Sequence, residues 1–186
     1  LDRLMSLSRQ IMNRKRAESA LKFSQRTLEI ANSHTSIKLL LDEFCSEVMG
    51  FTGCEAVGLR ILGKDGLIPY VTYKGFDEDF FFKESPLSIE ADHCMCIYCV
   101  RGETDPEKPF FTKYGSFYMN GTTRFLATIS DEEKGATRNE CNRRGYETVV
   151  LVPFKSVDRI LGLIHVADRR EDMMPLESVQ VIERCA

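Results

Sequence analysis

The stretch His93-Cys94-Met95-Cys96-Ile97-Tyr98-Cys99 places four soft side chains, one imidazole and three thiols, within seven residues. Such groups ligate zinc, iron–sulfur clusters and haem iron, and a thiolate is also the nucleophile of redox chemistry. Spacing restricts what they can do together. Residues two apart on an α-helix point about 200° away from each other, so Cys94 and Cys96 cannot share an ion if both are helical. Cys96 and Cys99, three apart, can. A metal therefore requires a loop over residues 92–96 that enters a helix near Cys96, with Asp92 suited to be its N-cap. The stretch lacks a second C-x-x-C, and Val100 stands where a c-type haem attachment site would need histidine. Three readings stay open: a bound metal, cluster or haem; redox-active thiols; or cysteines that only line a core or pocket. Cys45, Cys54 and Cys185 fall in helix or strand patterns and read as core residues.

The chain that must position these groups has 186 residues, 43% hydrophobic and 28% charged. That is room for one domain with an appendage or two very small ones, and it excludes disordered and collagen-like classes. No apolar run approaches the ~20 residues of a membrane span. The N-terminal residues show no secretory signal, and seven cysteines, an odd count, do not describe a secreted disulfide framework, so a reducing cytoplasmic setting is expected. The first residue is not Met and the last residues stop inside a helical pattern, so the chain reads as a piece of a longer protein. Seven basic and three acidic side chains give residues 1–30 a charge of +4, leaving −7 on the rest. The basic segment lacks interleaved aromatics and the body is acidic, so no nucleic-acid partner is expected.

Residues 1–32 contain neither Gly nor Pro. Leu7, Leu21 and Leu28 share one seven-residue register, interrupted by Arg14, and Leu4 and Ile11 share another. A narrow apolar stripe on a polar helix predicts a parallel homodimer; packing of this helix on its own domain is the alternative. Ile37, Leu40, Leu41, Phe44 and Val48 mark an amphipathic helix stopped by Gly50. Strands over Cys54 to Leu62 and Leu67 to Tyr73 flank the turn Gly63-Lys64-Asp65-Gly66. Residues 74–147 are irregular and rich in aromatic clusters, Phe80-Phe81-Phe82 and Phe110-Phe111 among them, which form a ligand cage or close a cavity. Two capping boxes, from Ser130 and from Thr137, predict a helix between about 131 and Gly145. Thr148 to Phe154 and Ile160 to Asp168 form a second hairpin, so apolar that both strands should be covered on both faces. Asn120-Gly121-Thr122 and Asp168 to Asp172 read as solvated turns. Leu176, Val179 and Ile182 give a closing helix. The order describes an α+β fold, an antiparallel sheet with helices on its faces and a cavity under the middle segment.

Gly145-Tyr146-Glu147-Thr148-Val149-Val150-Leu151-Val152-Pro153-Phe154 and Ile160-Leu161-Gly162-Leu163-Ile164-His165-Val166-Ala167-Asp168 resemble the carboxy-terminal half of a GAF domain. In that family a "vPl" strand and an "lGvl" strand form the last hairpin before a closing helix. Phe51 to Ile61 resembles the family's first strand, and the resemblance covers roughly residues 34–186. Asn13-Arg14-Lys15-Arg16-Ala17-Glu18-Ser19-Ala20-Leu21 resembles the helix that leaves a PAS domain in sensor kinases. The domain organisation implied is a linker or coiled-coil helix over 1–32 and a GAF sensory domain over 33–186. The implied function is a cytoplasmic sensory module of a multidomain signal-transduction protein, of the sensor histidine kinase type found in two-component systems. Such a module binds a small-molecule ligand or a cysteine-held cofactor and relays the change through helices, between an upstream PAS-like domain and a downstream output domain. There is no Gly-rich nucleotide loop and His34 is followed by Thr35-Ser36, so no enzymatic activity is expected of this segment itself.

The resemblance also brings Cys141 to the border of the family's ligand cavity together with Cys94, Cys96 and Cys99. Four thiolates would suit zinc or an iron–sulfur cluster, with haem, held by an axial His93 or His165, as a further variant. His93, Phe111, Phe117 and His165 are the expected pocket residues; His165, flanked by apolar strand residues, reads more readily as a satisfied core histidine than as a ligand. Two other functions share the fold: a thiol-dependent enzyme resembling the free methionine-sulfoxide reductases, and a dimerisation spacer without ligand.

Overall fold

A computed structural model describes residues 2–130, 137–157 and 159–186. Helix α1, Asp2–Ser33, leads into α2, Ile37–Thr52. The stop predicted at Gly50 comes three residues later, because the left-handed residue that closes the helix is Gly53, whose N–H bonds to the Met49 carbonyl. The second half of α1 lies on its own domain: Phe23 and Ile30 are each 1% exposed, and the Phe23 ring stacks on Phe51 with centroids 4.4 Å apart. Leu4, Leu7, Ile11, Leu21 and Leu28 are 49–72% exposed. At 100° per residue, Leu7, Leu21 and Leu28 lie nearly opposite Phe23 and Ile30. The helix therefore has a docked face and a separate, uncovered leucine register.

The main sheet has the order β3-β1-β7-β6-β5, every neighbouring pair antiparallel. Its strands are β1, Ala56–Ile61; β3, Tyr70–Lys74; β5, Phe117–Met119; β6, Thr148–Ser156; and β7, Arg159–Asp168. The strand predicted over Leu67 to Tyr73 is divided at Pro69, which has no N–H to give to a ladder. Its first part, β2, Leu67–Ile68, pairs instead with β4, Leu87–Ser88. Strands β6 and β7 are buried on both faces, as their composition predicts. Val150, Val152, Ile164 and Val166 pack under α1, α2 and the closing helix α7, Leu176–Cys185. Val149, Leu151, Leu163 and Ala167 face the middle segment.

Among the described residues that segment carries four short helices: α3, Glu78–Glu84; α4, Met95–Arg101; α5, Thr122–Leu126; and α6, Glu140–Arg143. Of the helix predicted between 131 and Gly145, only α6 is helical among the described residues, and the Ser130 capping box runs into residues 131–136, outside them. Asn139, left-handed at φ 51, precedes α6 in place of a Thr137 cap. No helix among the described residues is long and apolar enough to cross a membrane.

Two predicted turns do structural work. The Asn120 side chain bonds both the N–H (3.0 Å) and the carbonyl (2.6 Å) of Met174, clipping the approach to α7. Asp168 is fully buried rather than solvated: its carboxylate accepts the Glu55 N–H at 3.0 Å, the Arg170 N–H at 2.8 Å and the Arg170 guanidinium at 2.7 and 2.9 Å. These bonds, the Arg170 side chain's first, hold its carboxyl below the ordinary value of 3.8. A lowered native pKa stabilises the fold above the unfolded value and loses that contribution as pH falls through the native one. Asp168→Asn is expected to lose about 1–2 kcal/mol at pH 7, most of it from the two backbone bonds because the Arg170 pair is screened by solvent. Urea unfolding across pH should show the difference from wild type shrinking below about pH 4; a difference independent of pH would refute this.

Candidate functional site

Between the sheet and the middle segment lies a cavity of about 390 Å³. Val149 and Leu151 of β6, with Phe117 and Met119 of β5, form its floor. The start of α4 supplies Cys94, Met95 and Cys96, α6 supplies Cys141, and Phe110, Phe125 and Ile129 close the top. The lining is largely aromatic, aliphatic and rich in sulfur, with polar and charged residues, Glu84, Lys108, Arg138, Glu140 and Asn142 among them, completing it.

Helix α4 begins at Met95 with Cys94 as its extended N-cap residue, φ −159 and ψ 169. Asp92, expected at that position, instead accepts the Ser88 N–H at 2.8 Å and pairs with Arg138 at 2.8 Å. Because Cys94 stands outside the helix, the 200° divergence does not apply, and each thiol acts on the other's ionisation: the Cys96 thiol lowers Cys94 from the ordinary value against the opposing effect of burial, and Cys94 together with burial raises Cys96. Cys99 is turned elsewhere. Its thiol points at the Leu151 carbonyl, 3.9 Å away, and lines a separate cavity of about 190 Å³. Burial pushes it up to about 12.

Cys141 approaches from the opposite wall, its Sγ 3.7 Å from His165 Nε2, while His165 Nδ1 is 2.7 Å from the Tyr70 hydroxyl. Burial, with the nearby Arg60 charge, pushes His165 down to about 3, and burial pushes the Cys141 thiol well up. Thiol and imidazole are both neutral at physiological pH.

Arg60 on β1 is fully buried behind Cys96. Its Nη1 donates to the carbonyls of Ile68 (2.9 Å) and Glu84 (2.6 Å), and its guanidinium carbon lies 3.7 Å from the Tyr70 ring centroid. Among the described residues, Nε and Nη2 have no partner. The single clue in the sequence is a charge interrupting the apolar strand Ala-Val-Gly-Leu-Arg-Ile. A second arginine ties the rim. Arg138 bonds Glu84 at 2.8 Å, Asp92 at 2.8 Å and the Lys83 carbonyl at 2.7 Å, joining α3, the approach to α4 and the approach to α6. Sequence reasoning assigned it only to a capping box.

The residues do not fit the expected metal. Among the described residues, no three His, Cys, Asp or Glu side chains converge as the ligands of an ion would. Cys94, Cys96 and Cys141 border one cavity but Cys99 does not, so the fourfold thiolate set fails to assemble. A buried guanidinium beside Cys96 also opposes a second cation. Haem fits no better: His93 is exposed and outside the cavity, and both ring nitrogens of His165 are engaged. Of the other expected pocket residues, Phe117 lines the cavity, whereas Phe111 packs against it from behind with centroids 6.0 Å apart. The triple phenylalanine divides: Phe80 stacks on Phe76 in the core, Phe81 stacks on Tyr73, and Phe82 is exposed.

No family model matches the sequence, and no curated sequence aligns with it. In three dimensions the relationships are clear. The GAF domain of an Acinetobacter phosphoenolpyruvate-protein phosphotransferase superposes with a TM-score of 0.63 at 12% identity, covering 90% of this chain and 88% of that one. The fold is that of a GAF domain. A domain of a two-component sensor histidine kinase protein from Sinorhizobium meliloti is similar at a TM-score of 0.55 and 11% identity over 82% of this chain and 86% of the other. The fRMsr of Staphylococcus aureus, solved with substrate, matches at 0.63 and 11% over 89% and 90%. At these identities the likeness describes architecture. In this GAF-like fold the cavity sits on the face of the sheet opposite α1, α2 and α7.

Proposed function

We propose that this GAF domain is a cytoplasmic sensory module of a longer signalling chain, with a PAS-like domain before it and an output domain after it. It takes an uncharged, largely apolar small molecule into the 390 Å³ cavity and relays the change to α1 and α7. One observation carries this reading. Val149 and Leu151 of β6 line the cavity, while Val150 and Val152, alternating with them, pack beneath the helices on the other face. Interiors are close-packed, so a ligand that shifts β6 also shifts what rests on it. Helices α1 and α7 are coupled there, the Cys185 thiol lying 3.8 Å from the Ser24 hydroxyl. A second copy docks along the leucine register of α1, where a rotation of the helix would be read out. The reductase-like reading draws no support from Cys141 and His165, which are held neutral and so form no activated thiolate–imidazole pair.

A panel of neutral aromatic and aliphatic compounds, screened by thermal unfolding and native mass spectrometry, tests the reading. A ligand at about 100 times its Kd should stabilise the fold by about 2.7 kcal/mol, a rise of several degrees in Tm. Met119→Trp, which narrows the cavity from β5, should weaken binding at least about tenfold, a loss of about 1.4 kcal/mol, with the fold retained by circular dichroism. Binding unaffected by Met119→Trp, or no compound shifting the wild type, would overturn the proposal.

A further inference from the structure

The thiols at the mouth of α4 offer chemistry that ligand sensing does not require. We propose that Cys94 and Cys96 are an oxidisable dithiol, converted to a disulfide by a small organic hydroperoxide that enters the cavity.

Three observations point to this pair rather than to the other cysteines. First, placement: Cys94 and Cys96 both line the cavity, Cys94 with 7% of its surface exposed, so an oxidant in the cavity meets them directly. Second, geometry: Cys94 is the extended N-cap residue and Cys96 the second residue of the helix, and both side chains open on the same cavity. Two residues of chain span at most about 7 Å between Cα atoms, and a disulfide needs about 4.4–6.8 Å, so closure needs no large movement. Third, charge: buried Arg60, whose Nε and Nη2 have no hydrogen-bond partner among the described residues, favours negative charge on both sulfurs, while Glu84 opposes it at Cys94. A buried cation with free donors is costly, and a neighbouring thiolate offsets that cost. Cys94, outside the helix and the more exposed of the two, is the sulfur that meets the oxidant first, with Cys96 behind it. Cys99 and Cys141 are raised by burial and are poorer nucleophiles.

The chemistry balances. The Cys94 thiolate attacks the terminal oxygen of the hydroperoxide, the O–O bond breaks, and the alkoxide takes a proton and leaves as the alcohol, giving a sulfenic acid on Cys94. The Cys96 sulfur, giving up its proton, attacks the Cys94 sulfur; the S–O bond breaks and hydroxide leaves as water. In sum, two thiols and one hydroperoxide yield a disulfide, an alcohol and water. The disulfide ties the residue before α4 to its first turn, against the wall of the ligand cavity. This modification is independent of which molecule the cavity otherwise holds.

The test uses the full chain, reduced and then handled without air, with cumene hydroperoxide and hydrogen peroxide as probes. Intact mass should fall by about 2 Da, the two hydrogens of one disulfide. After alkylation, the tryptic peptide of residues 84–101 should carry a 94–96 bond with Cys99 alkylated. Cys99→Ser should keep the mass loss and Cys94→Ser should abolish it. In Cys96→Ser, dimedone should trap a sulfenic acid at Cys94. The native chain should oxidise at least about tenfold faster than the urea-unfolded one, a difference that a merely accessible thiol would not give. No mass loss, a bond to Cys99 or Cys141, trapping on another cysteine, or equal rates in the native and unfolded chains would each overturn the proposal.

Discussion

Replacing Leu7, Leu21 and Leu28 together by glutamate is expected to dissociate the proposed homodimer, raising its Kd at least about 100-fold, and to leave the domain's own stability nearly unchanged. All three side chains are more than half exposed and touch no core cluster, so their loss removes no intrachain packing. Exposed substitutions of this kind usually move unfolding free energy by no more than about 0.5 kcal/mol. In a paired helix, each leucine instead leaves water against its partner, worth roughly 1.5–3 kcal/mol when fully buried, and carboxylates in the seam add a desolvation cost. Phe23→Ala should behave in the opposite way. That ring is buried between α1 and α2 and stacks on Phe51 at 4.4 Å, so truncation should cost about 3–5 kcal/mol of stability while the leucine register survives. Sedimentation equilibrium reads the first effect and urea unfolding the second. A wild type that is monomeric at high micromolar concentration, or a triple variant that sediments like it, would remove the dimer from the proposal.

Gly162→Ala is expected to destabilise the domain by at least about 3 kcal/mol, near the upper end for a single added methyl in a packed interior. A Cβ at this position of β7 would lie 2.0 Å from the Arg60 carbonyl oxygen and 2.3 Å from Cζ of Phe154. The Phe154 ring could turn, but the Arg60 carbonyl belongs to the neighbouring strand β1 and cannot move without displacing the ladder. Gly162 is the glycine of the "lGvl" resemblance, and steric exclusion by β1 is its physical reason. Gly50→Ala provides the contrast. Apart from the helix's own backbone, no atom lies within 4 Å of the added methyl in the last turn of α2, and the exchange should stabilise by up to about 1 kcal/mol. Urea unfolding of both variants checks the pair, and a Gly162→Ala chain within 1 kcal/mol of wild type would show that the strands part more easily than the contact implies.

Much of the architecture could be read from pattern. The paired apolar runs of β6 and β7 announced strands covered on both faces, because only such strands can dispense with polar alternation. Leu176, Val179 and Ile182 announced the closing helix, and the leucine register of α1 announced a face its own domain does not cover. Pattern also brought Cys94, Cys96 and Cys141 to one cavity through the family resemblance.

It could not sort the thiols or see Arg60. Whether Cys94 stands inside or outside α4 depends on where the helix begins, and Asp92 was drawn away from capping by Arg138, a residue 46 positions later. Cys99 and Cys96 share a helix, yet open on different cavities because α4 is wedged against the sheet with Leu151 on one side. Asp168 looked like a solvated charge until Glu55, 113 residues earlier, delivered its N–H.

The amino-acid sequence by itself determined the α+β class, the order of the elements on either side of the middle segment, the two-sided burial of the central hairpin and the cluster of thiols in the middle segment. These follow from periodicity and local propensity, which act over a few residues. Only the tertiary structure decided that two of those thiols open on one cavity, that a third lines it beside a buried histidine, that the fourth turns away, and that a buried guanidinium with two unpartnered nitrogens lies close by. Each of these is a meeting of side chains from distant segments, and close packing, not sequence spacing, fixes who meets whom.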